Sequence, residues 1–407
     1  MTEREIYRES TRSADLTFTG GEIKIKECDV SSGIGVRTLD EKRLGFAFCQ
    51  SEEGLAEALE HAKKTARFSV RSGFSFPGKK AFKMPVLFDK GVDPDDLSWL
   101  HSMVRELRDV ASYKGGRPRV ICHADVSEVS LENSSGFEGS YQESGVSVFV
   151  ECMHGDGYGM SFFTSHSRPK DIAIEGIKAA EMAEATQSAG KPEAGKHTVV
   201  MEVEALENLI DTLLPSFSGD WKRRKITKAE EGKMMFSEKF SLYDDGLAPG
   251  SGAQPFDDEG TPSERRALIE NGQVRSFLYD RETAALEGVE RSGACSRDGY
   301  DSPPGIGSSN LVVGPGEWND LGELGSHIEV HYAHGSHTAN PTTGDIGLEV
   351  SAAFIVEKGE KKPVKGFMLS GNVFEWLNRI AGIEKRQKVF GSFIAPRMAF
   401  SEVQVVV

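Results

Sequence analysis

Two segments concentrate the side chains that could do chemistry. The first is Phe256-Asp257-Asp258-Glu259-Gly260-Thr261-Pro262, with Leu268-Ile269-Glu270-Asn271-Gly272 close behind it. Three consecutive acids offer oxygen ligands for a hard cation. The competing reading is a solvated acidic turn ended by Gly-Thr-Pro, with Asn271-Gly272 as the tight turn of a hairpin, and turn residues dominate the segment. The second is a histidine-rich run holding four of the ten histidines, His327-Ile-Glu329-Val-His331-Tyr-Ala-His334-Gly-Ser-His337. On a strand with period-2 geometry, His327, Glu329 and His331 share a face, and His334 and His337 in the next loop could close an open metal site. The alternative is a half-exposed polar strand face, which the absence of any metal-motif spacing favours.

Several reactive motifs are missing. The sequence contains no G-x-S-x-G elbow and no G-x-x-x-x-G-K-[ST] loop, so neither an α/β-hydrolase nucleophile nor a phosphate cradle is signalled. No histidine is followed by glutamate. A helix of the H-E-x-x-H or H-E-x-x-x-H kind, with two imidazoles and a glutamate base on one face, is therefore excluded. The glycine runs Gly33-Ile34-Gly35, Gly155-Asp156-Gly157-Tyr158-Gly159 and Gly305-Ile306-Gly307 lack the third glycine of a dinucleotide loop and read as turns.

The elements that would hold these groups follow from periodicity. In the first half, alternating runs at Asp15–Thr19, Glu22–Lys26, Gly33–Thr38 and Gly45–Cys49 predict a β-meander broken at Gly20-Gly21, Ser31-Ser32-Gly33 and Asp40–Arg43. Ser51 opens a helix with the stripe Leu55, Leu59, Ala62 and Ala66, and Asp95-Asp96 open a second with Leu97, Leu100, Val104, Leu107 and Ala111. Strands at Pro118–Val126, Glu128–Glu132 and Gly145–Met153 lead to an Ala/Glu-rich helix at Asp171–Ala185. The small, charged stretch Gln187–Lys196 marks a domain boundary, giving an α/β domain over 1–190 and a mainly β domain with long loops over 191–407. Later strands are expected at His197–Val203, Ser276–Tyr279, His327–Tyr332, Glu349–Val356, Val364–Leu369 and Ser401–Val407, with helices at Ala205–Leu214 and Asn372–Ile380. The fold class is α+β, with an antiparallel or mixed sheet and flanking helices in the first domain.

The chain has 407 residues, a formal charge of −15 and an apolar share of 38% that reaches the ordinary globular range once its 44 glycines are added, enough for two domains. An acidic chain without a basic stripe disfavours direct nucleic-acid binding. No apolar run is long enough to span a membrane, and the charged start, MTEREIYRES, is unlike a signal peptide. Five scattered cysteines without a C-x-x-C pair fit reduced thiols in a cytoplasm.

The segment from Phe256 to Gly272 resembles the D-D-E-G-T-P…L-I-x-N-G signature of the TldD/PmbA family, also called modulators of DNA gyrase. Pro341-Thr342-Thr343-Gly344-Asp345, Glu357-Lys-Gly-Glu360, Pro363-Val364-Lys365-Gly366 with Ser370-Gly371-Asn372, Gly33-Ile34-Gly35-Val36-Arg37, Gly45-Phe46-Ala47 and Asn133-Ser134-Ser135-Gly136 resemble further family stretches in the same order. The resemblance implies a cytoplasmic peptidase system. In it, a TldD-type subunit carries a zinc-like H-E-x-x-x-H helix and a later cysteine ligand, and a TldE/PmbA-type subunit lacks them. The positions that match the metal motif here, Pro215–Arg224, hold neither histidine nor glutamate, and the later ligand region, Ser336–Pro341, has no cysteine. The implied role is that of the metal-free subunit, with no cofactor of its own. It would dock on a TldD-type homologue, or on itself, and hold an unfolded peptide in a cleft. Asp257, Asp258, Glu259, Gly260, Thr343, Gly344, Asp345, Gly371 and Asn372 are the candidates for lining that cleft, turn and cap roles being the alternative. Two rival readings stand beside it: a self-contained metallohydrolase using the His327–His337 cluster, and a non-enzymatic regulator of gyrase or of a toxin–antitoxin system.

Overall fold

The computed structural model describes residues 3–290 and 293–407. Its first half is a six-stranded, wholly antiparallel sheet of β1 (Glu3–Thr19), β2 (Glu22–Asp40), β3 (Arg43–Cys49), β4 (Arg117–Asn133), β5 (Glu138–His154) and β6 (Gly157–Ser165). The strand order is β3-β2-β1-β4-β5-β6. Three helices, α1 (Leu55–Thr65), α2 (Leu97–Ala111) and α3 (Ala173–Ala185), cover one face. Alternation explains why. Ala14, Leu16 and Phe18 of β1 project into a core with Leu100, Val104, Leu107 and Ala179, whereas Ile6, Ile34 and Val36 pack on Ala58 and Ala62 of α1. The neighbours Glu5, Tyr7, Glu9, Thr11, Ser13 and Asp15 point to the opposite, polar face.

The strands are longer than the meander expected. Ser31-Ser32-Gly33 lies inside continuous β2 rather than in a turn. The glycines serve close packing: a Cβ at Gly33 would lie 2.2 Å from the Tyr300 ring, and one at Gly35 would lie 2.5 Å from the Tyr300 carbonyl. Gly157 and Gly159 likewise belong to β6, where a Cβ would come within 2.0 Å and 2.2 Å of the Ala183 and Ala179 carbonyls of α3. Only Gly155, at φ +60°, turns the chain there.

The second, eleven-stranded mixed sheet starts at β7 (Gly195–Met201) and continues through β8 (Leu242–Asp245), β9 (Arg265–Glu270) and β10 (Gln273–Val274). Beyond a small hairpin of β11 (Cys295–Ser296) and β12 (Gly305–Ile306), it adds β13 (Leu311–Val313), β14 (His327–His334), β15 (Asp345–Glu357), β16 (Glu360–Val364), β17 (Phe367–Asn372), β18 (Ile380–Phe390) and β19 (Phe393–Val406). The strand β19 is its centre, pairing with β7, β13, β17 and β18. Four helices accompany it: α4 (Val203–Leu213), α5 (Gly219–Arg223), α6 (Arg281–Glu287) and α7 (Val373–Asn378). Leu206, Leu209, Ile210 and Leu213 of α4 pack with Met201, Phe400 and Val403. The fold is α+β. The expected strand at 364–369 is divided by a turn at Gly366, φ +66°. Ser276–Tyr279 is no ladder strand but a single bridge from Leu278 to Ser218. Among the described residues, no helix is long and apolar enough to cross a membrane.

Candidate functional site

The acidic triplet lies between the two sheets. Glu5 of β1 and Arg37 of β2 are cross-strand neighbours and form a two-pronged ion pair at 2.8 and 2.7 Å. Arg37 also donates to Glu259 at 2.7 Å, whose second oxygen accepts the Arg281 backbone N–H at 2.7 Å. Arg297 reaches Glu5 at 2.6 Å, and its backbone N–H donates to Asp258 at 2.7 Å. Asp257 accepts the N–H groups of Glu259 and Thr261. Glu5, Arg37, Asp257 and Glu259 are each no more than 2% exposed. Burial pushes the Asp258 carboxyl up to about 6 despite Arg297. Burial and the adjacent Glu259 charge raise Asp257 well above the usual carboxylate range. Gly260, at φ +76°, turns against the Phe137 ring. The arrangement is a charged latch joining the first sheet to the second half of the chain, and Asp257 and Glu259 are closed off from a peptide. Thr261 and Pro262 instead line an open groove of about 1170 Å³ beside β9.

The other family stretches form a clasp of their own. Asn372 donates to the Thr343 carbonyl at 2.8 Å and to Asp345 at 2.9 Å, and its side-chain oxygen caps α7 by accepting the Phe374 N–H at 3.1 Å. Thr343 donates to Asp345 at 2.7 Å. Gly344 and Gly371 leave room for Phe374 and Trp376, each of which a Cβ would overlap. Gly344 is buried, Thr343, Gly371 and Asn372 are half-buried, and the Asp345 side chain is exposed.

The histidine run does not assemble as expected. The pairing of β14 with β15 shifts around His331, between Val330 and Tyr332, and a bulge re-aims the side chains that follow. His327 is buried, with Nδ1 on the Gly325 carbonyl at 2.8 Å, and His334 and His337 are exposed. Glu329 and His331 do meet, at 2.7 Å, and are joined by Glu202, a residue that sequence patterning did not single out. Among the described residues, these three form the group with metal-ligand spacing. Cations already fill it. Glu329 takes Lys361 at 2.7 Å and Arg397 at 3.1 Å, and Arg397 lies 2.8 Å from Glu202. Burial would raise the Glu329 pKa, but the hydrogen bonds from His331 and Lys361 hold it down at about 2. Glu202 and His331 of the trio line a cleft of about 590 Å³ between α3 and the second sheet, with Met182, Tyr332 and Phe354 as its apolar lining.

Comparison with known proteins now bears on these motifs. Residues 194–407 match the family model described as PmbA/TldA metallopeptidase C-terminal domain, and residues 5–66 match PmbA/TldA metallopeptidase domain 1. The chain belongs to the PmbA/TldA metallopeptidase family. A metalloprotease of Methanothermobacter thermautotrophicus is 28% identical over 93% of this chain and 87% of that protein. An uncharacterized protein of Methanocaldococcus jannaschii is 26% identical over 98% and 95%. Two solved structures share the fold. The Thermotoga maritima protein named as a modulator of a DNA gyrase superposes with TM-score 0.91 at 22% identity, covering 100% of this chain and 96% of that one. TldE of Thermococcus kodakarensis superposes with TM-score 0.86 at 24% identity, covering 100% and 97%.

A metallopeptidase family raises the question of whether this chain can hold the metal. The two regions that the resemblance puts at the metal do converge. Asn208 of α4 donates to the Ala333 carbonyl at 3.1 Å, and Ser216 donates to the Pro341 carbonyl at 3.3 Å. Between Val203 and Arg224, however, the sequence has no histidine or cysteine. Glu204, Glu207 and Asp211 follow one another along α4, and burial, then the charges of Asp211 and Glu204, push Glu207 up to about 7. The converging 336–341 loop adds one imidazole, His337, but it is exposed and joins no group with metal-ligand spacing among the described residues, so the donor set does not fit a peptidase zinc, which needs imidazole or thiolate ligands gathered at that spacing. The Glu202–Glu329–His331 trio fits no better, since a divalent ion would have to displace Lys361 and Arg397.

Proposed function

We propose that the chain is the metal-free subunit of a PmbA/TldA-type peptidase. It docks on a homologue that carries the H-E-x-x-x-H helix, or on a second copy of itself, and holds unfolded peptide for cleavage at the partner's metal. The observation that carries the reading is the convergence of α4 with the 336–341 loop around side chains that do not assemble a zinc-type donor set among the described residues, in a chain that keeps the family's motifs. A metal that polarises a carbonyl and activates water must then come from the partner. Peptide is held by main-chain pairing to a sheet edge, which gives affinity with little sequence selectivity. Five cysteines, all free thiols, suit the cytoplasm, where thiols stay reduced.

The test is reconstitution. Purified alone, the chain carries substoichiometric zinc and leaves unfolded peptide intact. Mixed with the H-E-x-x-x-H homologue of the same genome, it forms a stable complex in size-exclusion chromatography and peptide is cut. Stoichiometric zinc together with cleavage by this chain alone overturns the reading.

A further inference from the structure

The groove beside Thr261 and Pro262 has a strand edge for one wall. On one side β9 pairs with β8 from Arg265, opposite Asp245, to Ile269, opposite Leu242, with a register shift at Leu268. On the other side β10 covers only Ile269 and Glu270. The Leu268 carbonyl is then taken by the Arg275 N–H at 2.9 Å and the Ala267 carbonyl by the Ser276 hydroxyl at 2.7 Å. Beyond that point, among the described residues, Arg265 has a strand partner on one side only. The facing wall comes from the first half of the chain, where Lys80 lines the groove and the Arg281 guanidinium donates to the Ser75 carbonyl at 2.9 Å.

The groove is also positive on a chain of charge −15. Lys80, Arg265, Arg266, Arg275 and Arg281 line it against Glu264, Glu270 and Glu290. Arg266 is held by Asp244 at 3.0 Å. Arg275 pairs with Glu270 at 2.9 Å, but both side chains are more than 40% exposed, and such a pair exchanges readily for another partner. Arg265 lies flat on the Tyr243 ring, 3.9 Å from its centroid. Stacking leaves the in-plane N–H donors of a guanidinium for a carboxylate. At about 1170 Å³ the space exceeds an ordinary small-molecule pocket.

We propose that this groove binds an extended acidic peptide, added as a strand at the Arg265 end of β9 with its carboxylates on Arg265, Arg275 and Lys80. The inference rests on the reading of the chain as the peptide-holding subunit, and names the place and the class of peptide.

Fluorescence anisotropy on the full chain tests it with three labelled probes: a peptide alternating Glu with Val, its Lys-for-Glu counterpart, and the acidic peptide N-methylated at alternate residues. The acidic peptide binds with an affinity that falls as salt rises, and the lysine peptide binds roughly tenfold more weakly or worse. N-methylation, which removes strand hydrogen bonds and keeps charge, weakens the acidic peptide by a similar factor. In the double variant Arg265→Glu/Arg275→Glu the preference inverts, a gain for the lysine peptide that misfolding cannot produce. Equal binding of the two charge types by the wild-type chain, or indifference to N-methylation, overturns the proposal. The two readings fail separately. Reconstituted cleavage without charge preference removes this inference alone, and acidic-peptide binding without complex formation or cleavage removes the subunit reading alone.

Discussion

Replacing Arg37 by methionine tests whether the latch holds the two halves together. The substitution keeps an apolar stem of similar length but removes the guanidinium from Glu5 and Glu259, both buried. Breaking a buried ion pair by deleting one partner costs about 3–5 kcal/mol. The lower end applies here, because Glu5 keeps Arg297 at 2.6 Å and Glu259 keeps the Arg281 N–H at 2.7 Å. The Arg37 guanidinium also sits 5.3 Å and 5.6 Å from the Phe74 and Phe76 ring centroids, adding about 0.5–1 kcal/mol. A loss of about 4 kcal/mol follows, near a thousandfold in the unfolding constant. Urea unfolding read by circular dichroism measures it. The pH dependence gives a second reading. Burial raises the Glu5 pKa, but the charges of Arg37 and Arg297 outweigh it and the net shift is downward. In the wild type, that contribution is present above the unfolded value of about 4.3 and lost as pH falls through the lower folded value. In Arg37→Met the folded pKa of Glu5 rises, so the deficit is greatest near neutrality and shrinks towards pH ~4. A deficit under about 1 kcal/mol at neutral pH, the range of an exposed pair, refutes the argument. So does a deficit independent of pH.

Two further outcomes follow from the structure. Asn372→Ala removes the α7 cap and both clasp hydrogen bonds, and thermal unfolding should register a loss of about 1–2 kcal/mol; no shift in Tm would show that Thr343 and Asp345 hold the loop without it. His123 lies between Asp15 and Asp125, each 3.2 Å from a ring nitrogen, and its pKa is raised, first by the hydrogen bond to Asp125. Its contribution to stability is complete below the unfolded value of about 6.5 and disappears as pH rises through the higher folded value. An NMR titration should place the His123 midpoint above that of a model peptide, and a midpoint at or below it contradicts the geometry.

Local patterning carried the helices well. Asp96 caps α2 through the Ser98 N–H, and Asn372 caps α7, as their residue types imply. It failed where a residue answers to something distant. Ser31-Ser32-Gly33 has the composition of a turn, yet the strand runs on because Tyr300 packs over it, and nothing within β2 announces Tyr300. In the sequence the D-D-E triplet suits solvent, a cation or a peptide equally, because its partners are remote. Arg37 is separated from Glu259 by 222 positions and Arg297 from Glu5 by 292. Glu202 was missed for the same reason: the parallel pairing of β7 with β14 brings it to Glu329 and His331. The family resemblance marked the motif residues as a set. It could not distinguish a residue that lines a groove from one that bolts its walls, a difference that only burial and hydrogen bonding reveal.

The position of β19 governs how the molecule is made. Every strand of the first sheet has been synthesised once Ser165 has left the ribosome, whereas the second sheet waits for its central member, residues 393–406. At about 5–20 residues per second the interval is roughly 10–50 s. Until Glu259 is made Glu5 and Arg37 have only each other, and β7 gains β14 only after residue 334 and β19 only at the end. Strand edges left unpaired during that wait are sites of misassembly, so the yield of folded chain should respond to translation speed and holdase supply.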